Sequence, residues 1–192
     1  MLRKGFFEFL KSYSKKPFLF ILFIFFSCTT TVYHSKEGIT HQIEDIPFYA
    51  QEDYHCGPAS LASVINYWGI NIKPQDVAKE IFLKSVKGTL TIDMVLYAQK
   101  MGFETTQYEG DLEDLKTKIK NNLPLIVLVD TGYLFTHVYH FMVVTGFTDD
   151  GVIVNSGKFK GKIIKNEDFL NIWKKAGYWT LLIVRNNIDE NK

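Results

Sequence analysis

Leu61, Val64, Ile65 and Trp68 fall at i, i+3, i+4 and i+7, a spacing that puts all four on one side of an α-helix. The helix is expected over Pro58–Trp68. Pro58 suits its first turn, where the missing N–H has no partner to lose, and Gly69 supplies the stop. Just ahead of this stripe stands Cys56, one of two cysteines in the chain. A thiol at a helix start faces unpaired backbone N–H groups and the positive end of the helix dipole, both of which favour the thiolate. The chain must therefore build a core around a helix that carries a thiol at its tip.

The patterns that follow divide in two. Pro74 to about Phe82 reads as a second helix with Val77, Ala78 and Ile81 inward. Thr91 is expected to cap a third, running to Met101 and closed by Gly102, and Asp111 a fourth carrying Leu112, Leu115 and Ile119. The second half turns to strands. Pro124–Val129, His140–Phe147, Val152–Asn155 and Trp179–Arg185 are apolar runs, with Thr148-Asp149-Asp150-Gly151 as a turn. Helices first and an antiparallel sheet after make the expected class α+β.

Residues 1–27 read as a signal and not as fold. Arg3, Lys4, Lys11, Lys15 and Lys16 precede an unbroken apolar run, Phe18–Phe26. Nine residues of helix rise only about 14 Å, too little for a hydrocarbon core of about 30 Å. Phe25-Phe26-Ser27-Cys28 resembles a bacterial lipobox, although Phe25 and Phe26 depart from its usual Leu and small residue. That resemblance implies lipidation of Cys28 and an envelope protein tethered to a membrane outside the cytoplasm. Residues 28–42 are then the tether, 43–186 the domain and 187–192 a polar tail. Residues 1–27 carry +4, which leaves −3 for residues 28–192 and no basic stripe. Nucleic acid is excluded as an expected partner on that ground.

His140 opens one strand and Asn155 ends the next. If the two pair antiparallel, the end of the second returns toward the start of the first. A cysteine nucleophile needs a base, and the base needs a third group to fix its ring. His137, three residues from His140, competes as base, and Ser156 replaces Asn155 if the register differs by one. His55 beside Cys56 makes a poor metal pair without further cysteines. Lys158–Lys162 lacks the spacing of a phosphate loop, so no metal or cofactor is expected.

Gln51…Cys56-Gly57-Pro58-Ala59…Leu61…Tyr67-Trp68-Gly69, with His140–Phe147 and Val152–Asn155, resembles the C39 and C39-like cysteine peptidases. The resemblance implies a papain-like fold and peptide-bond hydrolysis. By position it assigns Cys56 as nucleophile, His140 as histidine, Gln51 as the oxyanion amide and Asn155 as third residue. The exporter-type members have Asp-Pro where this chain has Asn155-Ser156, and often Asp where it has His55. Peptides or proteins are the implied substrates. The chain carries no ATP-binding cassette, so any exporter would be a separate partner. The other reading of the same fold is a non-catalytic module that holds a peptide or partner in its groove, and a third is a different acyl transfer on cell-wall material.

Overall fold

The computed structural model describes residues 39–51 and 55–185. The expected signal segment, Cys28, the tether up to residue 38 and the 187–192 tail lie outside the described residues.

The Cys-Gly-Pro helix forms as α1 (Cys56–Tyr67) and is buried on every side from Gly57 to Ile65. Gly69 ends it with φ +91°. Helices α2 (Pro74–Ile81) and α3 (Thr91–Lys100) follow. Thr91 is not the cap expected of it: Leu90 holds that position and Thr91 is the first helical residue. Asp111 does cap α4 (Leu112–Lys120), accepting from the N–H groups of Glu113 and Asp114 at 2.9 and 2.8 Å. Helix α5 (Asn166–Lys174) buries Phe169 and Trp173.

The strands are β1 (Ile39–Gln42), β2 (Phe103–Glu109), β3 (Leu125–Asp130), β4 (Tyr139–Thr148), β5 (Gly151–Ser156), β6 (Phe159–Lys165) and β7 (Trp179–Arg185). All pairs are antiparallel, in the order β2-β7-β3-β4-β5-β6, with β1 also on β4. The class is α+β, as expected. Residues 39–42, expected in the tether, are instead part of the sheet. Helix α1 packs on β3 and β4, so its N-terminal tip sits beside the strand that begins at Tyr139.

Two local devices set the position of β4. The first is a bulge. Near the turn, Phe147 pairs with Val152 and Gly146 with Ile153; beyond it, Val144 pairs with Val154 and Val143 with Asn155. One extra residue, Thr145, therefore sits in β4. Its carbonyl accepts from the N–H of Ile43 at 2.8 Å and its hydroxyl donates to the carbonyl of Ile153 at 3.3 Å. Gly146 is needed beside it, because a Cβ there would lie 2.7 Å from the carbonyl oxygen of His41 in β1.

The second is a clasp on the β3–β4 loop. The buried carboxylate of Asp130 accepts from the N–H groups of Gly132 and Val138 at 2.8 and 2.9 Å and meets His137 Nδ1 at 2.6 Å. These bonds, that of His137 foremost, outweigh burial and hold the carboxyl down to about 2.

Two measurements test these devices. Gly146→Ala forces β1 off β4 and is expected to lower stability by about 1–3 kcal/mol, read from urea melting; an unchanged midpoint would show that β1 yields freely. Asp130, with a folded pKa below its unfolded value of about 3.9, contributes stability that is complete above that pH and lost as pH falls toward 2. The stability gap between wild type and Asp130→Asn is thus expected to close between about pH 5 and pH 2. A gap independent of pH would show that the charge does not hold the loop.

Candidate active site

Cys56 is the first residue of α1 and is half-buried. Pro58 contributes no N–H to the first turn, so the N–H groups of Cys56 and Gly57 are the free donors there. Both point at the sulfur, and the N–H of Phe141 in β4 joins them. Burial nonetheless outweighs these donors and raises the thiol above its ordinary value. The helix-start thiolate expected from sequence is thus not favoured at rest, because burial removes more water than three N–H groups replace. Gly57 must be glycine: a Cβ would meet the Thr89 side chain at 2.8 Å.

The bond from Phe141 places the sulfur next to His140, the preceding residue on the same strand. His140 is half-buried, and burial first, then the ammonium of Lys162, lowers its imidazole below the usual histidine value. Its Nε2 meets Ser156 Oγ at 3.0 Å. Its Nδ1 has no hydrogen-bond partner among the described residues.

Asn155 does not reach His140. Its Oδ1 accepts from the N–H of Gly161 at 2.9 Å and ties β5 to β6. The bulge is the reason. Register counted from the Asp149-Asp150 turn sets Asn155 opposite Val144, on the face that carries His140. Thr145 shifts the pairing so that Asn155 lies opposite Val143, and a one-residue shift exchanges the two faces of a strand. Ser156 takes the place beside the imidazole. Of the two residues expected for the third position, the one bonded to His140 is Ser156 and not Asn155.

Gln51 reaches the same end of β5. Its N–H donates to the carbonyl of Gly157 at 3.0 Å, and its Oε1 accepts from the N–H of Gly157 at 3.2 Å. Since an N–H must face the amide oxygen, Gly157 fixes Oε1 on its side, and Nε2 has no hydrogen-bond partner among the described residues. The segment leading to Gln51 is fixed on α1: Ser63 Oγ donates to the Pro47 carbonyl at 2.5 Å, and Asn66 bonds the Tyr49 hydroxyl.

The competing histidine is elsewhere. His137 is bound to Asp130, stacks on Tyr139 and leaves 64% of its side chain exposed. His55 packs edge-on against Phe82 at 4.9 Å. No group of three or more metal-ligating side chains occurs among the described residues. The N–H of Phe141, the residue after His140, faces the Cys56 sulfur, Ser156 holds the imidazole, and Gln51 is bound to Gly157, the residue after Ser156. That set suits acyl transfer through sulfur.

Comparison with known proteins bears on the family and the fold. Residues 43–180 match the model of the peptidase C39 like family. The peptidase domain of Streptococcus ComA, a bifunctional ABC transporter of a quorum-sensing pathway, is 26% identical with a TM-score of 0.62; the match covers 74% of this chain and 100% of that one. A double-glycine motif protease from an AMS/PCAT transporter, solved with a leader peptide, is 22% identical with a TM-score of 0.62, covering 77% of this chain and 97% of that one. No curated protein matches the chain. With a thiol-bearing central helix, a histidine-bearing sheet and a family match over most of its length, the chain belongs to the C39-like peptidase family.

Proposed function

We propose that this protein is a cysteine peptidase in which Cys56 is the nucleophile, His140 the base and Ser156 the residue that orients the imidazole. The observation that carries the reading is the hydrogen bond between His140 Nε2 and Ser156 Oγ. It holds the ring and leaves Nδ1 for the sulfur that the N–H of Phe141 keeps beside it.

The raised thiol and lowered imidazole make the resting pair neutral. In the first step Sγ bonds to the substrate carbonyl carbon while its proton passes to His140 Nδ1. The negative charge collects on the carbonyl oxygen, and Gln51 Nε2 and the N–H of Cys56 are the donors assigned to it. His140 returns the proton to the leaving nitrogen as the C–N bond breaks. Water then cleaves the thioester, His140 taking its proton. The protease with bound leader peptide among the structural relatives makes Gly-Gly peptides the first substrates to try. The reading includes lipidation of Cys28, which would hold the domain to a membrane outside the cytoplasm. Detergent-phase partition of the full chain, lost in Cys28→Ala, tests that part.

Hydrolysis of internally quenched peptides tests the chemistry. Cys56→Ala is expected to abolish turnover, and His140→Ala to lower it about 10²–10⁴-fold. Ser156→Ala is expected to lower kcat while Asn155→Ala and His137→Ala keep most of it. Equal losses in Ser156→Ala and Asn155→Ala would overturn the assignment of the third residue. Wild-type turnover retained by Cys56→Ala would overturn the reading altogether.

A neutral resting pair also has a signature in pH. Because the thiol is raised and the imidazole lowered, alkylation of Cys56 by iodoacetamide is expected to keep rising through about pH 9. A plateau already reached near pH 6–7 would reveal a preformed thiolate–imidazolium pair.

A further inference from the structure

The sheet continues past Ser156 to β6, and what β6 presents there is charged. Ser156 pairs with Phe159 and Val154 with Lys162. Three residues of β6 thus span the distance of two on β5, and the extra one is absorbed between Phe159 and Lys162. Directly opposed residues share a face, so both Phe159 and Lys162 stand on the face that carries Ser156 and His140. Phe159 is 64% exposed one strand away from the His140–Ser156 bond. The ammonium of Lys162 lies 5.9 Å from the centre of its ring.

Lys162 has no carboxylate partner among the described residues, in a chain whose residues 28–192 are net acidic. Its field reaches His140 and opposes protonation of the imidazole. A cation in that place hinders the base unless something negative arrives with the substrate. The neighbouring Lys158 and Lys160 are exposed and equally without a carboxylate.

We propose that Phe159 and Lys162 form a carboxylate-binding subsite, so that preferred substrates are peptides with an acidic side chain beside the scissile bond. The stem of that side chain lies on the Phe159 ring and its carboxylate pairs with Lys162. Pairing offsets the field of Lys162 at His140, so a substrate of the right charge also restores the base. This specificity rests on Cys56 acting as proposed above.

The test compares two reagents of nearly equal size on the full chain, with modification of Cys56 followed by mass spectrometry of its own peptide. Iodoacetate and iodoacetamide both form an Sγ–CH₂ bond and release iodide, but only iodoacetate carries a carboxylate. Lys162→Gln is expected to lower the iodoacetate-to-iodoacetamide rate ratio about threefold, which is what one unit charge contributes at roughly 7 Å in water. Lys162→Arg is expected to preserve the ratio, and Lys79→Gln, on α2, to leave it unchanged. An unchanged ratio in Lys162→Gln, or an equal fall in Lys79→Gln, would overturn the subsite and leave the peptidase reading standing. Failure of both reagents to modify wild-type Cys56 would overturn the two together.

Discussion

The extra residue in β4 is the constraint on which the site depends. Thr145 exchanges the faces of everything beyond it, and so decides that a hydroxyl and not a carboxamide meets His140. The bulge persists because its polar groups are satisfied: the carbonyl by Ile43, the hydroxyl by Ile153. Gly146 next to it allows the close approach of β1. The short strand at the domain's start thus acts on the chemistry at the far end of β4, through register and without touching the site.

The electrostatics of the site follow from that choice of partner. A carboxylate at the third position would stabilise an imidazolium; a serine hydroxyl fixes the ring but brings no charge. Burial raises the thiol and lowers the imidazole, and the Lys162 ammonium adds to the second effect, so charging the two groups is costly. The helix start and the N–H of Phe141 lessen that cost without cancelling it. A thiol kept neutral is less open to adventitious oxidation than a thiolate.

Much of the fold was legible. The 3.6-residue stripe placed α1 and its neighbours, and the β-branched runs placed β3, β4, β5 and β7. Three strands went unread: β1, assigned to the tether, and β2 and β6, both for one physical reason. β2, Phe103-Glu-Thr-Thr-Gln-Tyr-Glu, lies at the sheet edge and carries mostly polar, exposed side chains. β6 is similar, with lysines along its length. Edge strands bury little, so apolar periodicity, the usual signal, is weak in them. Helix α5 did carry a signal, Phe169 and Trp173 four apart with Glu167 and Asp168 in its first turn, although Trp173 by itself reads simply as a core aromatic.

What sequence by itself determined is the chemistry available: a lone domain thiol at a helix tip, a histidine opening an apolar strand, an upstream glutamine, and the α+β order of the elements. These follow from local rules, since helix periodicity, proline geometry and β-branching act over a few residues. Tertiary structure alone decided which polar side chains meet. The parity of β5 against β4 depends on one inserted residue, held by β1 more than a hundred positions earlier in the chain. No local pattern reports such a bulge. Its consequence is that Ser156 faces the imidazole, Asn155 ties down β6, and Lys162 stands on the sheet face that carries His140.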